Sequence, residues 1–280
     1  MNKVYTYNVI EELPKGTRLR NYLKGKLPSL ETNAAVKKAL KRNSISINGI
    51  YATSGMHVKK GDTIALTIEH YTPRPFPLDI LYEDDHILII DKPAGYVSSG
   101  NAASTVQLHL KYYSEEGENE HLPFPLLNHR LDKATSGILI ASKTMEAKRI
   151  LDVKMASNEI NKTYQCIVEG HYNQAKQIID LTIDDKIAST EITQFNHLST
   201  KDNTSLLTIV LHTGRTHQIR KHLAMIGFPI VGDPLYNKDG LSFGRGLFLH
   251  AKQIDIIHPI TKKELSITSP TPKKFLKYTQ

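Results

Sequence analysis

Cysteine is almost absent from the sequence, since Cys166 is the one cysteine among 280 residues. No disulfide can therefore form within the chain, which excludes a disulfide-stapled secreted scaffold and favours a reducing compartment. The first residues contain no apolar run of the signal-peptide type. No stretch approaches the ~18 consecutive apolar residues of a membrane-spanning helix. The sequence predicts a soluble cytoplasmic protein with no membrane partner, in which Cys166 is a small buried apolar side chain.

Metal-binding motifs are missing as well. His212, His217 and His222 are each five residues apart, rather than three or four, and no HExxH or CxxC motif occurs. We therefore predict that the protein binds no metal ion.

Positive charge is concentrated at one end of the chain. Residues 1–70 contain 12 Lys/Arg against 5 Asp/Glu, whereas the other 210 residues contain 24 against 23. A basic module is thus attached to a larger and nearly neutral one. Basic modules most often bind nucleic acid or acidic membrane surfaces, with a merely solvated surface as the alternative.

The basic module is predicted to contain two helices. The first begins near Gly16 and carries Leu19, Leu23 and Leu27 at helical spacing. Thr32 can cap the second helix, in which apolar residues alternate with a cationic face. The buried positions of this second helix are Val36 and Leu40, and its exposed cations are Lys37, Lys38, Lys41 and Arg42.

A small hairpin sheet follows the two helices. Asn48-Gly49 is a strong hairpin signal, and a turn at residues 59–62 precedes a strand from Thr63 to Ile68. From about Pro14 to Glu69 this order of parts resembles the RNA-binding domain named after ribosomal small-subunit protein four, here called the S-four-like domain. The resemblance implies that the helix carrying Lys37, Lys38, Lys41 and Arg42 faces RNA phosphates. Such contacts supply affinity and salt dependence rather than sequence choice.

Prolines mark the predicted domain boundary. Residues 73, 75 and 77 are all proline, which favours an extended and semi-rigid linker. We predict an RNA-binding domain at 1–72, a linker at 73–78 and a catalytic domain at 79–280. Residues 114–120 contain four glutamates and are predicted to form a surface loop that would repel RNA.

The most unusual stretch of the larger module runs from Asn128 to Lys143. It places Asp132 between Arg130 and Lys133, just before an apolar strand at 138–141. An isolated Arg-x-Asp is more often a solvated turn than a reactive site, so Asp132 needs support from elsewhere in the chain. Thr135 and Ser136 are predicted to bond the backbone near the start of the strand.

Two later segments provide candidates to accompany Asp132. After a helix at 145–156 capped by Thr144, a strand at 161–170 places Tyr164 on one face with Cys166 and Val168. Taken alone, Tyr164 is more often a core aromatic than a functional residue.

The second segment is a strand at 207–211 followed by a helix that we expect to be capped by Thr216 and to end at Gly227. His217 and Arg220 lie three residues apart on one face of this helix, so Arg220 can point to a position beside the core.

These motifs together resemble the RluA-type pseudouridine synthases from about Leu78 to Pro270. The matching stretches are DKPAG, HRLDKATSG, NKTYQCIVEG, HTGRTHQIRKHLAMIGFPIVGDPLY and LFLHA. Occurring together in this order, these stretches are highly specific for that family. One departure follows the DKPAG motif, where the family usually has an apolar-His-Pro stretch and this chain has residues 96–100, YVSSG. That difference can alter a lid or the RNA-facing rim.

The resemblance implies an α+β pseudouridine-synthase fold, in which a mixed and largely antiparallel sheet with flanking helices surrounds a central cleft. It implies an isomerase that detaches a uracil base from its ribose and rejoins it through carbon five, without a cofactor. Asp132 matches the catalytic carboxylate, Arg220 its basic partner, and Tyr164 the tyrosine that stacks on the target base and can assist proton transfer. The expected substrate-binding residues are Arg130, which enters the stack vacated by the uridine, Leu249, which lies on the other side of the pocket, and His129 and Arg215.

Several alternatives remain open at this level. His129, His217 and Thr135 suit structural roles that hold the catalytic loop. Ribosomal RNA, with the large subunit favoured, is expected as the substrate ahead of tRNA, and the protein is expected to be a monomer. The competing functions are a non-catalytic RNA-binding or ribosome-assembly protein and a hydrolytic RNA N-glycosylase.

Overall fold

The computed structural model describes residues 3–68, 78–100, 104–111, 121–174, 176–198, 203–237, 240 and 246–279. The chain divides into two compact units, residues 1–72 and 73–280, and each is described by itself. The predicted proline-rich linker, apart from Leu78, and the glutamate-rich loop at 114–120 lie outside the described residues. Within the described parts of the chain, every helix is too short or too polar to cross a membrane.

The first unit is built on a four-stranded sheet with two helices. Its strands are β1 (Lys3–Asn8), β2 (Ile45–Ile47), β3 (Ile50–Tyr51) and β4 (Thr63–Ile68), in the order β1-β4-β2-β3. Neighbouring strands are antiparallel. β4 has the bounds predicted from the sequence, whereas β1 was not predicted.

The hairpin between β2 and β3 forms where Asn48-Gly49 predicted it. Both residues have positive φ, 48° and 81°, as a two-residue hairpin turn of type I′ requires. The Asn48 side chain donates to Asp62 and accepts from the Thr63 backbone N–H, which ties the hairpin to the turn before β4.

The helices of the first unit are α1 (Leu19–Tyr22) and α2 (Asn33–Lys41). Thr32 caps α2 as predicted, since its hydroxyl accepts from the Ala35 N–H. The prediction that the first helix continues to Leu27 is wrong. Gly25 adopts a φ of +74° and donates its N–H to the Leu30 carbonyl, which turns the chain out of the helix.

The second unit contains a ten-stranded sheet. Along its main path the strands have the order β10-β11-β12-β9-β13-β8-β6-β5, with β14 paired to β13 and β7 to β8. The strands are β5 (Asp79–Glu83), β6 (Ile87–Lys92), β7 (His121–Leu127), β8 (Ser136–Thr144), β9 (Asn161–Glu169), β10 (Gln177–Asp180), β11 (Ser189–Leu198), β12 (Thr204–Leu211), β13 (Leu249–Ile257) and β14 (Glu264–Thr268).

The position of β13 links the two sides of this sheet. It pairs antiparallel with β9 on one edge and parallel with β8 on the other, through His250 with Ser136 and Ala251 with Gly137. The other pairs are antiparallel. The predicted α+β fold with a mixed, largely antiparallel sheet is therefore confirmed.

The helices of the second unit are α3 (Val106–Leu110), α4 (Met145–Ala156), α5 (Gln218–Met225) and α6 (Lys273–Thr279). The predicted bounds of α4 and its Thr144 cap are confirmed. The prediction that Thr216 caps the next helix is wrong, because the N-cap position of α5 is His217, whose side chain makes no capping bond. Instead, the Gln218 side chain accepts from the Arg215 N–H and the Thr213 hydroxyl, which closes the turn before the helix.

The core of the second unit lies on both faces of the sheet. Residues 87–90 of β6 are fully buried. Because side chains alternate along a strand, Leu88 and Ile90 join one cluster with Tyr164 and Leu223, whereas Ile87 and Ile89 join another with residues of α4. The sheet is therefore a rigid, buried base for the loops at its ends.

Candidate active site

A cleft of about 230 Å³ opens beside β9, β13 and α5. It is lined by residues that are far apart in the sequence but that the sheet brings together. They include His129, Arg130, Asp132, Lys162, Tyr164, Arg215, His217, Arg220 and Leu249. The cleft therefore contains the three predicted catalytic residues and the four substrate-binding residues predicted in the second unit.

Asp132 lies on the loop between β7 and β8, and neighbouring backbone atoms fix that loop. The Ser98 hydroxyl accepts from the Leu131 N–H and donates to the Leu131 carbonyl. Gly95 donates its N–H to the Lys133 carbonyl at 2.7 Å, and Thr135 donates to the carbonyl of Asp132. These bonds hold the loop in place. The Asp132 side chain is 22% exposed, so it remains accessible from the cleft.

A buried cation lies beneath this loop. Lys92 is fully buried, and its ammonium donates to the carbonyls of Pro93 and Tyr96, both at 3.0 Å. Burial lowers the pKa of Lys92 to about 8, although the charges of Asp132 and Asp91 act in the opposite direction. Lys92 thus connects the DKPAG turn electrostatically to the loop that carries Asp132.

The start of β8 lies unusually close to β13. Gly137 has a φ of +111°, and a Cβ at this position would lie 2.2 Å from the Ala251 carbonyl oxygen. Only glycine permits this approach, which places the Asp132 loop beside the start of β13. The prediction that Ser136 bonds the backbone here is wrong, because its hydroxyl bonds Nδ1 of the buried His250 at 2.9 Å.

Arg220 connects two carboxylates. Its guanidinium donates from Nε and Nη2 to the two oxygens of Asp233, each at 2.7 Å, and its Nη1 lies 3.4 Å from Asp132 Oδ2. Arg220 and Asp233 are 4% and 1% exposed. Burial would lower the pKa of Arg220, but its bonds to Asp233 raise it above the ordinary value. Likewise burial would raise the pKa of Asp233, which Arg220 instead holds below its usual range. The pair is therefore charged, and Arg220 is aimed at Asp132.

The walls of the cleft are partly apolar. Tyr164 on β9 and Leu249 on β13 are 7% and 4% exposed and face the same space as Asp132. Burial and the nearby charge of Asp132 raise the pKa of Tyr164, so its hydroxyl stays protonated. Lys162, two residues before Tyr164 on β9, also lines the cleft, and burial lowers its pKa.

The rim of the cleft carries the other predicted residues. The Arg130 and Arg215 side chains are exposed, and Arg215 Nε donates to the Ile187 carbonyl at 2.9 Å. His129 Nε2 accepts from the Ile140 N–H at 3.1 Å, which anchors the loop that carries Asp132 to β8. Burial and the charge of Lys162 lower the pKa of His129 to about 4, so this acceptor is neutral at pH 7.

The four cations predicted on the second helix of the chain lie in the first unit. All of them are exposed: Lys37, Lys38 and Lys41 lie on α2, and Arg42 is its C-cap residue.

Three residues in or behind the cleft are not predicted as functional from the sequence. Asp233 lies in the GDPLY stretch and Lys162 in NKTYQ, and for His217 the sequence predicts a structural role. The sequence feature that could have indicated them is their position in stretches that already contain a predicted site residue or match the resembling family. The burial of Asp233 against Arg220 could not be derived from spacing alone.

The chemistry available in the cleft follows from these groups. The Asp132 carboxylate lies beside the Arg220 guanidinium, next to an aromatic and an aliphatic wall that suit a planar base. Within the described ranges of the chain, no group of three or more His, Cys, Asp or Glu side chains could hold a metal ion. The arrangement suits nucleophilic or ionic chemistry on a planar, weakly polar ligand.

Comparison with known proteins agrees with this chemistry. The family model described as RNA pseudouridylate synthase matches residues 86–225. The "Uncharacterized RNA pseudouridine synthase YhcT" of Bacillus subtilis (strain 168) is 31% identical, over 94% of this chain and 93% of the relative. The "Ribosomal large subunit pseudouridine synthase D" of Zymomonas mobilis is 32% identical, over 73% of this chain and 72% of the relative.

A solved structure shares the fold. "Human RNA Pseudouridylate Synthase Domain Containing 4" superposes with a TM-score of 0.57 and 22% identity, over 71% of this chain and 90% of that one. The architecture described above therefore occurs in a protein with little sequence identity to this one.

Proposed function

The chain belongs to the RNA pseudouridylate synthase family, and from that membership we propose that its substrate is ribosomal RNA of the large subunit. The enzyme is an isomerase that converts uridine in RNA to pseudouridine. The choice of RNA is supported by the Zymomonas mobilis relative, which is named for the large ribosomal subunit. A ribosomal RNA substrate would place the enzyme in the cytoplasm.

Asp132 is proposed as the catalytic carboxylate. The observation that carries this assignment is its position in the cleft, 3.4 Å from a guanidinium that is itself fixed by a second carboxylate. Arg220 acts as its basic partner and would remain beside the Asp132 carboxylate when RNA excludes water from the cleft. The reaction is an internal exchange of one bond for another, so no cofactor is proposed.

Other residues of the cleft and its rim would bind the target uridine and the RNA around it. Tyr164 and Leu249 would hold the flipped base between an aromatic and an aliphatic wall. Flipping a base costs a few kcal/mol, and stacking on an aromatic side chain returns ~1–3 kcal/mol. Arg130, exposed at the rim, would enter the vacated stack, and Arg215 would contact the RNA backbone.

The first unit is proposed to be the S-four-like RNA-binding domain. Its helix α2 carries three exposed lysines and has the exposed Arg42 at its C-cap, and the apolar face of this helix packs into the core of the unit. Lys37, Lys38, Lys41 and Arg42 would bind RNA phosphates and increase affinity without selecting a sequence. The predicted monomeric state and the predicted absence of a metal stay predictions.

One experiment separates the proposal from its rivals. Large-subunit ribosomal RNA transcribed with labelled uridine is incubated with the protein, digested to nucleosides and separated, with a tRNA pool treated in parallel. Pseudouridine in the ribosomal sample, lost in Asp132→Asn with RNA binding retained, is the expected result. Free uracil would indicate an N-glycosylase, and binding with neither product would indicate a non-catalytic RNA-binding protein. Pseudouridine in the tRNA pool alone would overturn the choice of substrate.

A further inference from the structure

His217 has a backbone conformation that its position in the helix does not explain. It lies at the N-cap of α5 with φ 56° and ψ 26°, in the left-handed region, and its side chain makes no capping bond. Gln218 closes the preceding turn instead. A residue other than glycine is strained in this region, and such strain is concentrated at functional sites. The side chain of His217 must therefore be considered for a role in the cleft.

The two ring nitrogens of His217 face different partners. Nδ1 lies 3.0 Å from the Tyr236 hydroxyl, and Nε2 lies 3.7 Å from Asp132 Oδ1. The His217 side chain is 25% exposed and lines the cleft, and its ring packs edge-on against Tyr236 with a centroid distance of 5.8 Å. One nitrogen is thus engaged outside the cleft and the other is directed into it, next to the catalytic carboxylate.

The isomerisation needs an acceptor for the proton on carbon five of the uracil. The N1–C1′ bond breaks, the base turns, and a C5–C1′ bond forms at a carbon that still carries its hydrogen. The C5–H bond must then break, its electron pair restores the ring double bond, and N1 finishes with a proton from water. A base that removes the C5 proton must lie within hydrogen-bond reach, directly or through one water molecule.

Other groups of the cleft are poorly suited to this step. Arg220 has no lone pair to accept a proton. Burial raises the pKa of Tyr164, which disfavours its basic phenolate form. His129 Nε2 already accepts from the Ile140 N–H. Lys162 is the remaining competitor, since burial lowers its pKa.

We propose that Nε2 of His217 accepts the C5 proton, with the Nδ1–H donating to the Tyr236 hydroxyl and fixing the tautomer. This inference rests on the proposed function of the cleft. Because Nε2 lies 3.7 Å from Asp132 Oδ1, a uridine whose ribose or base engages Asp132 would bring its C5–H bond to the side of the cleft where Nε2 lies. The imidazolium that forms then passes its proton to water as the product leaves.

The charges around His217 fit a transient cation. Asp132 and Asp233 favour its protonated form, whereas Arg220 and Lys221 oppose it, and the Tyr236 hydroxyl bonds Nδ1. Burial, the largest influence, lowers the pKa of His217 below its ordinary value. The imidazole is therefore a neutral acceptor at pH 7 with two carboxylates nearby to stabilise the cation.

A deuterium isotope effect tests the proposal. Ribosomal RNA transcripts containing either ordinary or [5-²H]uridine are converted in single-turnover reactions by the wild type, His217→Asn and the matched cleft variant Lys162→Met. We expect His217→Asn to slow conversion by about a hundredfold or more, with an isotope effect larger than that of the wild type. Lys162→Met should leave the isotope effect unchanged.

The outcomes distinguish this inference from the proposed function. A wild-type protein that makes no pseudouridine overturns both. If the wild type is active and His217→Asn is slow with an unchanged isotope effect, His217 has a structural role, and only the inference is overturned. A raised isotope effect in Lys162→Met would likewise overturn only the inference. If His217→Asn does not fold, Tyr236→Phe replaces it, because it keeps the ring and removes the bond to Nδ1. An isotope effect equal to that of the wild type in that variant would also contradict the proposal.

Discussion

Arg220 donates two 2.7 Å hydrogen bonds to Asp233 and still lies 3.4 Å from Asp132, so one guanidinium serves two carboxylates. Asp233 is almost fully buried and does not line the cleft. It therefore cannot contact a ligand in the cleft, and its role is to hold the Arg220 guanidinium in position. The position of the guanidinium beside Asp132 therefore depends on Asp233, which lies far along the chain from Asp132.

We expect Asp233→Asn to lower the rate of pseudouridine formation with little effect on RNA affinity. Hydrogen bonds to charged groups contribute about 1.5–3 kcal/mol, so the loss should be roughly tenfold to a hundredfold. Asp233→Ala should also lower the free energy of unfolding by about 3–5 kcal/mol, because it leaves the Arg220 charge buried without this partner. Single-turnover rates, RNA binding and urea unfolding measure these effects.

Asp184→Asn provides the matched control. Asp184 also pairs with a cation of α5, Lys221, but its side chain is 72% exposed. Exposed pairs contribute ~0–1 kcal/mol, so both rate and stability should stay close to the wild type. Equal losses in the two variants would contradict the positioning role of Asp233.

Gly137→Ala should be strongly destabilising. The new Cβ would lie 2.2 Å from the Ala251 carbonyl oxygen, so β8 and β13 must separate. Overpacking costs about 1–3 kcal/mol, and the positive φ adds ~1–2 kcal/mol. Gly227→Ala isolates the second contribution, since Gly227 has φ +82° with nothing within 4 Å of its Cβ position. In thermal unfolding, the melting temperature of Gly137→Ala should lie well below that of Gly227→Ala. The reverse order would show that the close approach of Gly137 to Ala251 is unimportant for stability.

Stability should fall in acid because of buried histidines. Burial lowers the pKa of His250 to about 4, below the ~6.5 of an unfolded chain. As the pH falls below about 6.5 the unfolded chain binds the proton first, so the stabilisation present above this pH is lost towards pH 4. The loss can reach about 3 kcal/mol for His250, and His129 acts in the same direction.

Urea unfolding between pH 7.5 and 4 measures this loss. The pH dependence should be flatter in His250→Asn, whose amide can still bond Ser136, than in the wild type. His57→Asn removes an exposed histidine and should leave the pH dependence unchanged. Identical slopes in the wild type and His250→Asn would exclude His250 as the source.

The exposed cations of α2 should control the salt dependence of RNA binding. Each RNA phosphate that a lysine no longer neutralises reduces the slope of log K against log salt by about 0.7–0.9. Replacing Lys37 and Lys38 by glutamine should therefore lower the slope by about 1.4–1.8. Lys262 and Lys263, an adjacent exposed pair in the second unit, provide a control of equal charge. An equal change in both double variants would contradict a specific role of α2.

The sequence predicted local structure well where the signal lay in neighbouring residues. The Thr144 cap, the Asn48-Gly49 hairpin and the strand from Thr63 to Ile68 are present as expected. The expected Thr216 cap is wrong, because the Gln218 side chain closes the preceding turn by accepting from the Arg215 N–H, and the helix begins one residue later with His217 at its N-cap position. Periodicity along the chain cannot detect such a side-chain contact.

Long-range relations were accessible only in part. Motif order grouped Asp132, Tyr164 and Arg220, and the structure brings them to one cleft. The bond between Arg220 and Asp233 and the approach of Gly137 to Ala251 depend on strand pairing between distant segments. Nothing in the local sequence specifies which strand lies between β8 and β9.

That intervening strand sets the order in which the enzyme can become active. Asp132 precedes β8 on one side of β13, whereas Tyr164 lies on β9 and Arg220 follows β12 on the other side. Before residues 249–257 have left the ribosome, the carboxylate and its partners belong to two separate sheets. The first unit, whose core is its own, can fold earlier. Folding of this unit can therefore precede assembly of the cleft during synthesis of a single chain.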